Sequence, residues 1–180
     1  MNFSSQIVDC VGPLKPEVVE STALNSFFPA SNVLVLGEED TFSNGKYDYW
    51  LAEQEKTAGQ GFTLKVDTCK RQIAGFQIKN LGGKSDTIWA TKEFKVSGSK
   101  KENGPWEALV QEQLIETRRD KASFLLNFTF EKPVEIQFLK FELISYWDSN
   151  GGGLQYFAAI LATSKKHKSM QWMVFVKITR

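Results

Sequence analysis

What most restricts the fold of this chain is a succession of short apolar runs separated by turn residues, with no convincing helix among them. Side chains along a strand point alternately to its two faces, so an apolar residue at every second position marks a strand buried on one side. FTLKVD (62–67) and TKEFKVSGS (91–99) alternate in this way. IAGFQIKN (73–80) puts Ile73, Phe76 and Ile78 in one apolar strand, with Gly75 as a bulge or a point of close backbone approach. SFLLNFTF (123–130), IQFLKFELISY (136–146), LQYFAAI (154–160) and MQWMVFVKI (170–178) extend the series. WEALVQEQLIE (106–116) fits helical spacing at Trp106, Leu109 and Val110, but its flanking strands and aromatic start favour a strand followed by a short polar stretch. It follows Asn103-Gly104-Pro105, a strong turn signal. Pro13, Pro16 and Pro29 limit the first forty residues to irregular connections and short strands. Many strands at close spacing predict an all-β antiparallel sandwich.

Composition agrees and removes some functions. At 180 residues the chain is expected to be one domain, 1–180, with residues 161–180 as a C-terminal extension strand, because MQWMVFVKI is too apolar to leave in water. Fourteen Phe, five Trp and four Tyr suit β-structure. The 22 basic and 21 acidic residues leave a net charge of +1, which argues against nucleic acid or an anionic membrane as the main partner. No stretch reaches the apolar length of a membrane span. The opening residues lack the basic and apolar regions of a secretion signal, so the expected location is cytoplasmic or assembly-associated, with non-classical secretion as the other route. Cys10 and Cys69 are then expected to be unpaired thiols. The sequons at Asn2 and Asn127 matter only if the chain is secreted.

A search for catalytic chemistry finds little. GGKS (82–85) looks like the end of a phosphate-binding loop, but the earlier glycine it requires is Ile78, and a strand follows instead of a helix. EEDTFSNG (38–45) has Asp40, Asn44 and Gly45 at calcium-loop spacing, yet Phe42 and Leu51 replace essential ligands and rule out an EF-hand. A looser oxygen site at Asp40 and Thr41 is the one metal expectation, with structural calcium as its cofactor; the alternative is a solvated acidic turn. The lone His167 lies among Lys165, Lys166 and Lys168, the pattern of a solvated face, and cannot build a multi-histidine zinc site. The expectation is a protein that is not an enzyme.

YWDSNGGGLQYFAAI (146–160) raises a different question. Three consecutive glycines lose much backbone entropy and pack no side chain, so something must require them. One reading is turn geometry; the other is a ligand held close to the backbone. Residues 50–160 resemble the discoidin, or coagulation factor 5/8 type C, family of galactose-binding-like β-sandwiches. The resemblance rests on FTLKVDTCKRQIAGFQIKN (62–80), ATKEFKVSGSKKENGPWEAL (90–109), FTFEKPVEIQFLKFELISY (128–146) and GGGLQYFAAI (151–160), with FFPASNVL (27–34) upstream. Thr-Lys-x-Phe-x-Val-x-Gly-Ser together with Gly-Pro-Trp is its most specific part.

The resemblance implies an eight-stranded jelly roll of two packed antiparallel sheets. It also implies a non-catalytic module that binds sugars, phospholipids, collagen or proteins through loops at one end, many members holding a structural Ca²⁺. This chain departs from secreted members in its cysteine positions, its opening residues and the twenty residues after the last expected strand. A protein partner is therefore the leading expectation, and a small lectin for galactose-like glycans the alternative. In this fold 138–146 and 154–160 are expected to be neighbouring strands joined by 147–153. The loops 47–50, 82–89 and 147–153 are expected to converge, bringing together Tyr47, Tyr49, Trp89, Trp147 and Asp148, with Asn80 and Lys84 as polar partners. Phe76, Phe94, Phe128, Phe130, Phe138 and Phe141 are the expected core, and Trp106 a packing residue.

Overall fold

A computed structural model of the chain describes residues 16–36, 49–56, 58–66, 72–81, 89–115, 123–147 and 151–162. Its strands are β1 (Glu17–Ser21), β2 (Trp50–Leu51), β3 (Gly61–Lys65), β4 (Ile73–Asn80), β5 (Thr91–Ser99), β6 (Glu107–Gln113), β7 (Leu125–Val134), β8 (Phe138–Tyr146) and β9 (Gly153–Leu161). A 3₁₀ turn, Ala30–Leu34, follows Pro29. There is no α-helix among the described residues. The strands form two antiparallel sheets, in the orders β1-β3-β8-β5-β6 and β2-β9-β4-β7. The ambiguous segment after Trp106 is a strand, paired with β5 from Glu93–Gln113 to Gly98–Glu107.

The sheets meet through their alternating apolar residues. Phe62 and Phe141 on neighbouring strands stack at 5.1 Å, and Trp50 sets its edge against both rings. From the other sheet Phe157 contacts Phe62 and Phe141, while Phe76 and Phe128 contact Phe94. Such aromatic pairs add about 0.5–1.5 kcal/mol each beyond the area they bury. β3 and β8 thus face β9, and β5 faces β4 and β7, so the edge strands β6 and β7 lie on one side of the sandwich. Phe76, Phe94, Phe138 and Phe141 are buried as expected, but Phe128 and Phe130 are only half-buried, since no further strand covers the rim there among the described residues. Trp106 is also half-buried, with the Lys140 ammonium 5.8 Å from its ring centre.

Gly75 is the close-approach point its position suggested. The ladders of β4 shift register between Ile73 and Gly75, and a Cβ at Gly75 would fall on the Phe128 carbonyl oxygen. One topological expectation fails. β8 and β9 are not side by side: β8 lies between β3 and β5, and β9 between β2 and β4 in the opposite sheet. Residues 147–153 therefore cross from one sheet to the other. Leu161 completes β9, and the Ala162 N–H donates to the Gln72 carbonyl. The rest of the expected C-terminal strand lies outside the described residues, as do Cys10 and Cys69.

Candidate functional site

The crossing at 147–153 fixes one end of the sandwich. β4 ends there, β5 begins beside it, and the chain that leaves β8 enters β9 between them. The Trp147 N–H donates to the Ala90 carbonyl (3.1 Å), and Ala90 bridges in parallel to Gly153. The Thr91 hydroxyl donates to the Gly153 carbonyl at 2.9 Å, and the Ala52 N–H to the Gly152 carbonyl at 2.9 Å. Four chain segments from both sheets are thus tied together by backbone.

Each glycine of the triplet is buried against a different neighbour. A Cβ at Gly151 would lie 2.6 Å from Cζ3 of Trp89, and at φ +149° a side chain there would also be strained. At Gly152 it would meet Leu143, and at Gly153 the Trp50 carbonyl oxygen, Leu51 and Leu81. Close packing across the sheet-to-sheet crossing accounts for all three glycines.

Asn80, expected as a polar partner of the loops, is buried. The β4–β9 ladder shifts register between Lys79 and Asn80, and Asn80 is only 4% exposed. Its Nδ2 donates to the Thr91 carbonyl (2.8 Å), while Oδ1 accepts from the Leu81 and Thr91 N–H groups (3.0 Å each). That amide holds the β4–β5 ends together, with both lone-pair positions of Oδ1 and one Nδ2 hydrogen already engaged. Tyr49 is also displaced. Trp50 pairs with Leu154 and Leu51 with Gly153, so the chain before Trp50 runs along β9 away from the glycine crossing. The Tyr49 ring stacks on Phe28 at 5.4 Å, and its carbonyl accepts from Asn32 Nδ2.

Trp89 and Trp147 both lie at this end, and both are half-buried. Trp89 lies against Gly151, and the Lys92 ammonium sits 5.2 Å from the Trp147 ring centre, within cation–π range. The buried Trp147 Nε1–H has no acceptor among the described residues. Tyr47, Lys84, Asp148, Asp40 and Thr41 lie outside the described residues. Among the described residues no group of three His, Cys, Asp or Glu side chains could hold a metal ion.

Sequence reasoning missed three side chains at this end. The Leu114 N–H donates to the Lys92 carbonyl, which places Ile115 beside the start of β5. The Ser123 hydroxyl donates to the Asn80 carbonyl, and Leu125 pairs with Lys79, which places Phe124 and Leu125 beside the end of β4. Ile115 is 65%, Phe124 68% and Leu125 38% exposed. In sequence they look like strand interior; only the positions of the strand ends expose them.

This architecture is an antiparallel β-sandwich of two packed sheets. No protein-family model matches the chain, and no curated protein matches it significantly by sequence. Solved structures do match in fold. The family 32 carbohydrate-binding module of Clostridium perfringens NanJ, solved in complex with galactose, superposes with a TM-score of 0.52 at 12% identity, covering 81% of this chain and 92% of that one. An F5/8 type C domain from Bacteroides fragilis matches with a TM-score of 0.53 at 12% identity, over 81% of this chain and 89% of its own. Allantoicase from Saccharomyces cerevisiae matches with a TM-score of 0.51 at 13% identity, over 80% of this chain but only 39% of the enzyme. At these identities the likeness is one of fold.

Among the described residues no helix is long and apolar enough to cross a membrane.

Proposed function

We propose that this chain is a non-catalytic recognition module that binds a protein partner at the end of the sandwich holding Trp89, Trp147 and Lys92. The observation carrying this reading is the exposure of Ile115, Phe124 and Leu125 at that end, beside a tryptophan and its lysine. Large exposed apolar side chains next to aromatic and cationic groups suit a protein interface, where a few such anchors supply most of the affinity. Recognition of a sugar depends on several convergent hydrogen-bonding groups around an aromatic face. The buried Asn80 amide does not contribute one. The carbohydrate-binding modules and the F5/8 type C domain that share the fold support a binding role over a catalytic one.

The second reading is a small lectin for galactose-like glycans, favoured by the galactose-bound module of the same fold. The two are separated by running a pull-down from the native source beside a glycan array. One stoichiometric protein, retained in the presence of free galactose, supports protein recognition. Array binding reversed by free galactose supports the lectin.

A further inference from the structure

The edge strand β7 is ten residues long and pairs only with β4 among the described residues. Native proteins blunt such an edge with charge, proline or a short length, because its free N–H and C=O groups can template a further strand. Here Glu131, Lys132 and Pro133 crowd one end, and the six residues LLNFTF (125–130) carry neither charge nor proline. Their composition is that of a strand-pairing segment. The core also reaches this rim uncovered. Phe128 stacks on Phe76 at 4.9 Å and Phe130 contacts Phe76, yet both, with Leu126, remain half-buried.

We infer that a second copy of this chain pairs with β7, antiparallel and about a two-fold axis through Phe128, to join the two four-stranded sheets into one. The argument for a copy as the occupant is that β7 is complementary to itself in this register. Phe128 then meets Phe128 of the other molecule, and Leu126 meets Phe130, all on the core-facing side. On the exposed side Asn127 meets Thr129, and Leu125 meets Glu131. Phe124 meets the stem of Lys132. No like charges stand opposite one another, although such pairs are what disfavours strand association. The contact is isologous and closes at two molecules; it covers Phe124 and Leu125 and leaves Ile115, Lys92, Trp89 and Trp147 of each molecule free.

The test is the mass of the full chain by sedimentation velocity across micromolar to sub-millimolar concentrations. The wild type is expected to pass from 20.4 kDa to twice that mass. Asn127→Lys/Thr129→Lys, both at exposed positions, sets two lysine pairs across the axis and should weaken the dimer by about tenfold or more. The matching Asn127→Glu/Thr129→Glu variant, mixed with it, should restore a heterodimer that neither forms alone. Circular dichroism confirms folding, with the single Thr129→Lys as the milder substitute if the double variant is unfolded. A wild type that stays monomeric overturns the inference. So does a dimer indifferent to all these substitutions. So does a monomer that dimerises only when residues 163–180 are removed, since the chain itself would then cover the edge.

Discussion

Gly153→Ala offers a direct test of the crossing between sheets. Its added methyl group would fall on the Trp50 carbonyl oxygen and lie 2.7 Å from both Leu51 Cδ2 and Leu81 Cδ1. Side chains can rotate away from an intruding atom, but the carbonyl belongs to the Trp50–Leu154 ladder and cannot move without breaking it. Overpacking of a core by one methylene costs about 1–3 kcal/mol, and contact with fixed backbone puts this site at the upper end of that range. For a domain of this size roughly 3 kcal/mol lowers Tm by about 6–12 °C. Gly152→Ala should cost less, because its methyl meets the Leu143 side chain and the Thr91 hydroxyl, which can adjust. Thermal melts of both variants beside wild type give the ranking. A Gly153→Ala protein that melts with the wild type would show that this glycine is not packed as described and would favour the ligand explanation of the triplet.

Other substitutions probe the same end. Asn80→Ala removes the side-chain acceptor of the Thr91 N–H and the donor to the Thr91 carbonyl in a buried site; at about 1–3 kcal/mol for each it should move the urea midpoint sharply with the slope unchanged. Trp147→Phe keeps a ring and removes an N–H that has no acceptor among the described residues, so it should cost less than about 1.5 kcal/mol in the same assay, whereas a large loss would reveal a hydrogen bond to that group. Thiol titration of the unfolded, unreduced protein should find two free thiols at Cys10 and Cys69, and finding none would establish a disulfide.

The strands were legible because a two-residue period reports directly which face is buried: the expected 73–80 and 91–99 are β4 and β5 as they stand. The layer to which a strand belongs was not. Chain neighbours β8 and β9 lie in opposite sheets, and nothing in residues 147–153 states whether they turn back or cross. The crowding at the three glycines involves Trp89, Leu143, Trp50, Leu51 and Leu81, which come together only once both sheets are assembled. Asn80 read as a polar partner of the loops, but it continues the inward parity of Phe76 and Ile78 and is buried. The exposure of Phe124 and Leu125 was not legible because apolar residues occupy both parities of the run 123–130, which hides where the strand begins. Trp89 and Trp147 were singled out because they fall in connections, and both lie half-buried at the end of the sandwich where β5 begins.

The central claim is protein recognition at the end bearing Ile115, Phe124, Lys92 and Trp147. The most direct measurement is a pull-down from the native source with wild type and an Ile115→Ser/Phe124→Ser variant in parallel, each first shown to melt normally. Both side chains are largely exposed, so folding should be unchanged. The account expects the wild type to retain one stoichiometric protein and the variant to lose it. Equal retention by the variant, or release of the partner by free galactose, would contradict it.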